Sequence, residues 1–266
     1  MDLQLKNKHI IVTGASGGIG TEITNLFLLE GCKVSAQFFT KQDTLQKFVS
    51  EYPSMIQTIS ADLRRESDVE NMFKKATEKF GRVDILIANA GVWPKEQVKI
   101  HKMSLDRWNN TIATDLTAPF LCIKYFINNL VTYPGDYGSI ILIGSTAGVF
   151  GEANHGDYAT AKAALKGLML SVKNEIVTVA SKGRINIINP GWTVTPMARG
   201  ALQDKNAVKT ILQTIPMRKV ANPHDIASSV VLLSSDHVSG HISGQSLTIA
   251  GGMEGRVLFE REEIDF

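Results

Sequence analysis

His9-Ile10-Ile11-Val12-Thr13-Gly14-Ala15-Ser16-Gly17-Gly18-Ile19-Gly20 is the stretch that decides the fold of this chain. His9 to Val12 has the length and apolar character of a short buried strand, and Ile23, Leu26, Phe27 and Glu30 continue the stretch with helical spacing. Between them lies a glycine turn, so the local order is strand, turn, helix. Gly14 can take a backbone angle that a β-carbon forbids, Gly18 would let the backbone approach a pyrophosphate, and Gly20 would permit close packing of helix on strand. With Ser16, Gly17 and Ile19 they form a candidate phosphate cradle, because the first turn of a helix offers unpaired N–H groups and a positive dipole end. A bland turn accounts for any one of these glycines but poorly for the set.

Working outward, strand candidates recur around residues 8–13, 33–38, 55–60, 84–88, 138–144, 184–189 and 245–249. Most are continuous apolar runs, such as Ile85-Leu86-Ile87-Ala88, as expected of strands buried on both faces of a parallel sheet. Helical stripes fall between them, one through Val69, Met72, Phe73, Ala76 and Phe80 and another through Ala161, Leu165, Leu168, Met169, Val172 and Ile176. The alternation predicts a single α/β domain over 1–266, a doubly wound sheet of about seven parallel strands with helices on both faces and ligands at the strands' carboxyl ends. The acidic segment 256–266 reads as a tail that another subunit would order.

A second constellation lies in the other half. Tyr158 and Lys162 stand four residues apart, on one face of a helix, with Ser145 thirteen residues upstream at the end of an apolar run. The Lys162 ammonium beneath the Tyr158 phenol is expected to hold its pKa down. Bringing a phenol from ~10 to neutrality asks for roughly 4 kcal/mol, within reach of an adjacent cation and hydrogen bonds. Ser145 would be the second hydroxyl at the reacting oxygen.

Order and spacing together make the chain resemble the short-chain dehydrogenase/reductase family from Leu5 to Gly252. The resemblance rests on Thr13-Gly-x-x-x-Gly18-x-Gly20, Asp62-Leu63, Asn89-Ala90-Gly91, Ser145, Tyr158-x-x-x-Lys162, and Pro190-Gly191 with Thr195. It implies hydride transfer between a nicotinamide and a carbonyl or secondary alcohol. In that reading Tyr158 exchanges the proton, Ser145 hydrogen-bonds the same oxygen, and Lys162 serves both Tyr158 and the nicotinamide ribose. Asp62 would meet the adenine amino group, with a helix N-cap as the competing role. Asn89, Ala90 and Gly91 would pack beside the adenosine ribose, and Pro190, Gly191, the Val194 backbone and Thr195 would hold the carboxamide.

Cofactor choice falls just after the second strand, in Phe38-Phe39-Thr40-Lys41. No carboxylate is there to meet ribose hydroxyls, and Lys41 with Thr40 suits a 2′-phosphate, so NADP(H) is favoured and NAD(H) possible. One position departs from the family: Asp115 stands where an asparagine completes the catalytic set. The contribution implied there is a backbone carbonyl in a proton relay, which aspartate keeps, while its charge puts the lysine's titration in question.

Trp93, Phe150, His155, Trp192 and Met197 lie on loops expected at the pocket mouth and suggest an apolar or cyclic small-molecule substrate, with a free ketone, sugar or polyol favoured. A 3-oxoacyl-(acyl carrier protein) reductase is the alternative: Asn128 and Asn174 stand where arginines for an acidic carrier are expected, but the nearby Lys124 and Lys173 leave that alternative open. A non-catalytic dinucleotide-binding protein is the second alternative, which the presence of Ser145, Tyr158 and Lys162 disfavours.

Bulk properties suit a cytoplasmic enzyme. The 266 residues carry 28 basic and 26 acidic groups, net +2, with no basic block that would argue for nucleic acid. Apolar runs fall short of the ~18 residues of a membrane helix, so no membrane partner is expected. Cys32 and Cys122 form no metal-ligand cluster, and no metal is expected. Surplus apolar surface on two helical segments, about 104–132 and 157–181, predicts a homotetramer.

Overall fold

The computed structural model describes residues 2–264. Strands β1 (His9–Val12), β2 (Lys33–Phe38), β3 (Ile56–Ser60), β4 (Ile85–Ala88), β5 (Tyr137–Ile143), β6 (Lys182–Pro190) and β7 (Ser246–Ile249) form one sheet in the order β3-β2-β1-β4-β5-β6-β7. Every pairing is parallel. The seven strands fall where the apolar runs predict them. β6 begins earlier than its apolar run because Lys182 and Gly183 pair with Tyr137 and Gly138 of β5.

The helices are α1 (Gly18–Leu29), α2 (Gln46–Glu51), α3 (Glu66–Phe80), α4 (Leu105–Ile112), α5 (Ala118–Thr132), α6 (Thr146–Phe150), α7 (Gly156–Glu175), α8 (Arg199–Gln203), α9 (Lys205–Leu212), α10 (Pro223–Ser234) and α11 (Asp236–Ser239). Successive strand residues point to opposite faces, and both faces are covered. Ile11, Leu86, Ile140 and Ile185 pack with α3, α5 and α7, whereas Ile10, Val12, Val34 and Ile85 pack with α1 and α10. That double burial is why β4 and the ends of β1 and β5 read as unbroken apolar runs rather than alternating ones.

Three expectations are corrected. The segment 104–132 is not one regular helix: Ala113–Thr117 forms a π turn between α4 and α5, where the Ala118 N–H bonds to the Ala113 carbonyl. The second segment leaves the α-helix at Glu175, followed by a 3-10 turn at Ile176–Thr178. The C-terminal tail, expected to be ordered by a neighbour, packs on its own chain. Ile264 is buried against Ile211, Leu212 and Ile215, and the Arg218 guanidinium lies 4.1 Å over the Phe259 ring. Residues 265–266 of that predicted tail lie outside the described residues. Among the described residues no helix is long and apolar enough to cross a membrane.

Candidate active site

The chain runs from β1 outward to β3 and then crosses back to β4, so the loops after β1 and β4 diverge and leave a crevice at their carboxyl ends. A cleft of about 1040 Å³ fills that crevice and continues past the end of β5. At one end is the glycine turn. Gly14 has φ +60°, and its N–H donates to the Gln37 side-chain oxygen at 2.8 Å, while the Gln37 amide donates to the Ala61 carbonyl at 2.8 Å. Gln37 is buried, so one side chain ties the turn to the ends of β2 and β3. Thr13 does the same for β4: its hydroxyl accepts the Asn89 and Ala90 N–H groups at 2.9 and 3.0 Å. Asn89 in turn donates to the Thr13 and Gly14 carbonyls.

This end fits a dinucleotide pyrophosphate. The amides of the first turn of α1 have no partner within the helix, that turn carries no acidic residue, and Gly14, Ser16, Gly17, Gly18, Ile19 and Gly20 all line the cleft. A β-carbon on Gly18 would lie 2.8 Å from the Thr195 methyl carbon, so the missing side chain is what lets the loop after β6 close against the turn.

Beyond the pyrophosphate end, Phe39, Thr40, Lys41, Asp62 and Leu63 line the cleft, but Phe38 does not. It is the last residue of β2 and packs against the core, leaving Phe39, 55 % exposed, to face the cleft. Asp62 caps no helix, since α3 starts after Arg65 without a side-chain cap. Instead Arg64 grips its carboxylate, Nε to Oδ1 at 2.9 Å and Nη2 to Oδ2 at 2.7 Å, and holds it below the usual carboxylate range. The same guanidinium sits 5.6 Å over the Phe39 ring. Sequence reasoning missed both Gln37 and Arg64. A polar residue at the end of an apolar strand was the available signal for the first, and nothing local distinguished the second.

At the other end, Ser145 stands at the end of β5, and Tyr158 and Lys162 lie one above the other on α7 with the ammonium 5.6 Å from the phenol ring centre. Lys162 donates to the Ile143 carbonyl at 3.2 Å and contacts Asp115 Oδ1 at 3.1 Å. Asp115, in the π turn, is fully buried and also accepts the Val92 N–H at 3.2 Å. Its side chain is therefore engaged, beyond the carbonyl role the sequence suggested.

The phenol departs from expectation in direction. Burial drives Tyr158 above its ordinary range, and Asp115 and Glu152 push the same way, outweighing the lowering by Lys162 and Ser145. Burial alone would lower the Lys162 ammonium, but Asp115 and Tyr158 more than reverse it. The neighbouring Asp157 also resists its burial, because Arg107 and Thr111 donate to it at 2.9 Å each, fixing α7 to α4.

The predicted substrate residues divide. Trp93 stacks on His155 at 4.0 Å and meets Tyr158 edge-on at 4.9 Å, and both Trp93 and His155 line the cleft with Trp192 and Met197. The His155 ring lies 3.0 Å from the Pro94 carbonyl through Nε2, which fixes it as a wall rather than a reacting group. Phe150 does not line the cleft, and its ring lies against Gly255. Glu152, not foreseen, does line it, with burial raising its carboxyl. Pro190, Gly191 and Thr195 line the cleft, but Val194 does not: its N–H is committed to the Ala221 carbonyl at 2.9 Å, leaving the backbone carbonyl for any carboxamide contact. Ala90 and Gly91 line the cleft too. Among the described residues no group of histidine, cysteine and carboxylate side chains is arranged to hold a metal ion.

Fold and site together define a nicotinamide-dependent oxidoreductase acting on a carbonyl or secondary alcohol. Comparison with known proteins agrees. Residues 14–254 match the family model described as enoyl-(acyl carrier protein) reductase. The chain is 32 % identical to the 3-oxoacyl-(acyl-carrier-protein) reductase FabG of Salmonella typhimurium, covering 94 % of this chain and 99 % of that one. It is 30 % identical to the acetoacetyl-CoA reductase of an Acinetobacter species, over 93 % and 98 %. A solved structure of a short-chain dehydrogenase/reductase from Brucella melitensis, titled glucose/ribitol dehydrogenase, superposes with a TM-score of 0.85 at 28 % identity, over 95 % and 98 %. The chain belongs to the short-chain dehydrogenase/reductase family.

Proposed function

We propose that this protein is an NADP(H)-preferring reductase of a small free carbonyl compound, a ketone, sugar or polyol-derived carbonyl. The observation that carries the reading is a single cleft with a phosphate cradle at one end and the Ser145 and Tyr158 hydroxyls, backed by Lys162, at the other. The bound nicotinamide supplies the hydride. The substrate carbonyl oxygen lies between Ser145 and Tyr158, and as the carbonyl carbon accepts the hydride, the π pair moves onto that oxygen, which takes the Tyr158 proton. Lys162 steadies the resulting tyrosinate and the ribose. The first-turn amides of α1 hold the pyrophosphate, and Lys41 with Thr40 meets the 2′-phosphate, since the end of β2 offers no carboxylate to repel it. Trp93 and Trp192 exclude water from the reacting carbon.

Reduction of a 3-oxoacyl group on a carrier protein is the second reading, favoured by the names of the relatives. Against it, Asn128 and Asn174 occupy the expected basic positions, and the nearby Lys124 is bound to Glu66 at 2.5 Å. Comparing kcat/KM for free 3-oxo esters and ketones with that for carrier-bound 3-oxoacyl substrates tests the choice. Free substrates should be turned over at least as efficiently, and a large preference for the carrier-bound form would overturn it. A homotetramer in a reducing cytoplasm completes the proposal: both cysteines are buried and unpaired, Phe120 on α5 and Leu170 on α7 are exposed, and the edge strand β7 is open.

A further inference from the structure

The contact between Asp115 and Lys162 joins two fully or nearly fully buried side chains, 0 % and 5 % exposed. Burial, and more weakly Asp157, push the Asp115 carboxyl above its ordinary range, while the donors facing both its oxygens, Lys162 at 3.1 Å and the Val92 N–H at 3.2 and 3.3 Å, pull it back toward the ionised form. Gly91 makes the approach possible: a β-carbon there would lie 2.5 Å from Asp115 Oδ1 and 3.1 Å from Lys162 Nζ. A loop, a π turn and α7 thus converge on one buried ion pair beneath the reacting phenol.

We propose that Asp115 is a positioning residue that sets the pH range over which this site can donate a proton: paired with Lys162, it offsets the cation that would otherwise draw the proton from Tyr158, and so keeps the phenol a proton donor for carbonyl reduction through neutral pH. The inference rests on the proposed roles of Tyr158 and Lys162. A lone lysine beneath the phenol favours tyrosinate, the base that alcohol oxidation needs. A buried carboxylate beside that lysine cancels much of its field in the low-dielectric site. The other groups facing Tyr158 do not supply a replacement cation. Ser145 at the end of β5 is a neutral hydroxyl, Glu152 after α6 is acidic and raises the phenol further, and the Ile143 carbonyl binds the same ammonium. On the α4 side, the Arg107 guanidinium is spent on Asp157, and the His155 ring stacks on Trp93. The direction of the Tyr158 titration, above its ordinary range, accords with this arrangement.

The sign follows. Reduction uses protonated Tyr158, so its rate holds through neutral pH and falls on an alkaline limb. Oxidation uses tyrosinate and rises along the same limb. Asp115→Asn removes the offsetting charge and should move both limbs to lower pH by about one unit, the scale of one neighbouring charge in a partly screened interior. The change should appear in kcat more than in KM. Absorbance titration of tyrosinate, taken as the difference between each protein and its Tyr158→Phe counterpart, should shift by the same amount without turnover. Asp115→Ser, smaller and neutral, should shift alike and serves if the asparagine variant folds poorly. Limbs and tyrosinate titration within a few tenths of a pH unit of native, in a folded variant that still binds NADPH, would overturn the inference. Activity surviving in Tyr158→Phe would instead defeat the proposed function itself.

Discussion

The side-chain oxygen of Gln37 accepts the backbone N–H of Gly14 at 2.8 Å, and its amide spans to the carbonyl of Ala61 at 2.8 Å. Three strand ends are held in register by one buried side chain, at the point where the phosphate cradle begins. Gln37→Leu keeps the bulk and removes both bonds, leaving one buried and one part-buried backbone group unpaired at about 1–3 kcal/mol. NADPH should bind about tenfold more weakly, the equivalent of ~1.4 kcal/mol, with a lower Tm. Fluorescence titration of NADPH checks this, and unchanged affinity would show that the turn is held without Gln37.

Tyr158→Phe should abolish turnover while leaving NADPH affinity nearly intact, because it deletes only the transferable proton. Lys162→Ala should damage both, since the lysine has the phenol and the ribose as partners, and it also strands Asp115 as an unpaired buried carboxylate. Single-turnover kinetics alongside cofactor titration separate the two effects.

Cofactor preference should respond at Phe39 rather than Phe38. Phe38 packs against the core, whereas Phe39 faces the cleft beside Lys41. Lys41→Ala should reduce the NADPH over NADH preference about tenfold, the scale of one charge-assisted hydrogen bond. Phe39→Asp should shift it further by repelling the 2′-phosphate. Ratios of kcat/KM with the two cofactors decide, and equal use of both by the native enzyme would refute the reading of the β2 end.

Gly91→Ala should destabilise the fold by about 1–3 kcal/mol, the usual cost of forcing extra volume into a packed interior. The new methyl would press on Asp115 and Lys162 at once. Urea denaturation measures the loss, and a native-like midpoint would mean that the loop after β4 yields.

Assembly is checked by light scattering, with a tetramer expected and a stable monomer at micromolar concentration defeating the proposal. Leu170→Glu should split the assembly, because α7 carries Leu170 on its exposed face at 40 % exposure. Deleting residues 256–266 should instead lower Tm by uncovering Ile211 and Leu212, since Ile264 packs on its own chain.

Local chemistry by itself determined the strand count, the glycine turn and the juxtaposition of Tyr158 and Lys162 on one helix face. Strands buried on two faces favour apolar residues, a left-handed turn residue favours glycine, and residues four apart on a helix share a face. Tertiary structure alone decided the rest, because each remaining feature depends on groups distant in sequence. Phe38 turns to the core and Phe39 to the cleft only once β2 is seated between β1 and β3. Arg64 reaches Asp62 and Phe39 together only through the fold of the loop after β3. The titration of Tyr158 could not be read from its spacing to Lys162, because burial and the carboxylate of Asp115, 43 positions before it, oppose the cation beneath it. A charge's effect depends on distance and desolvation, and both are set by packing.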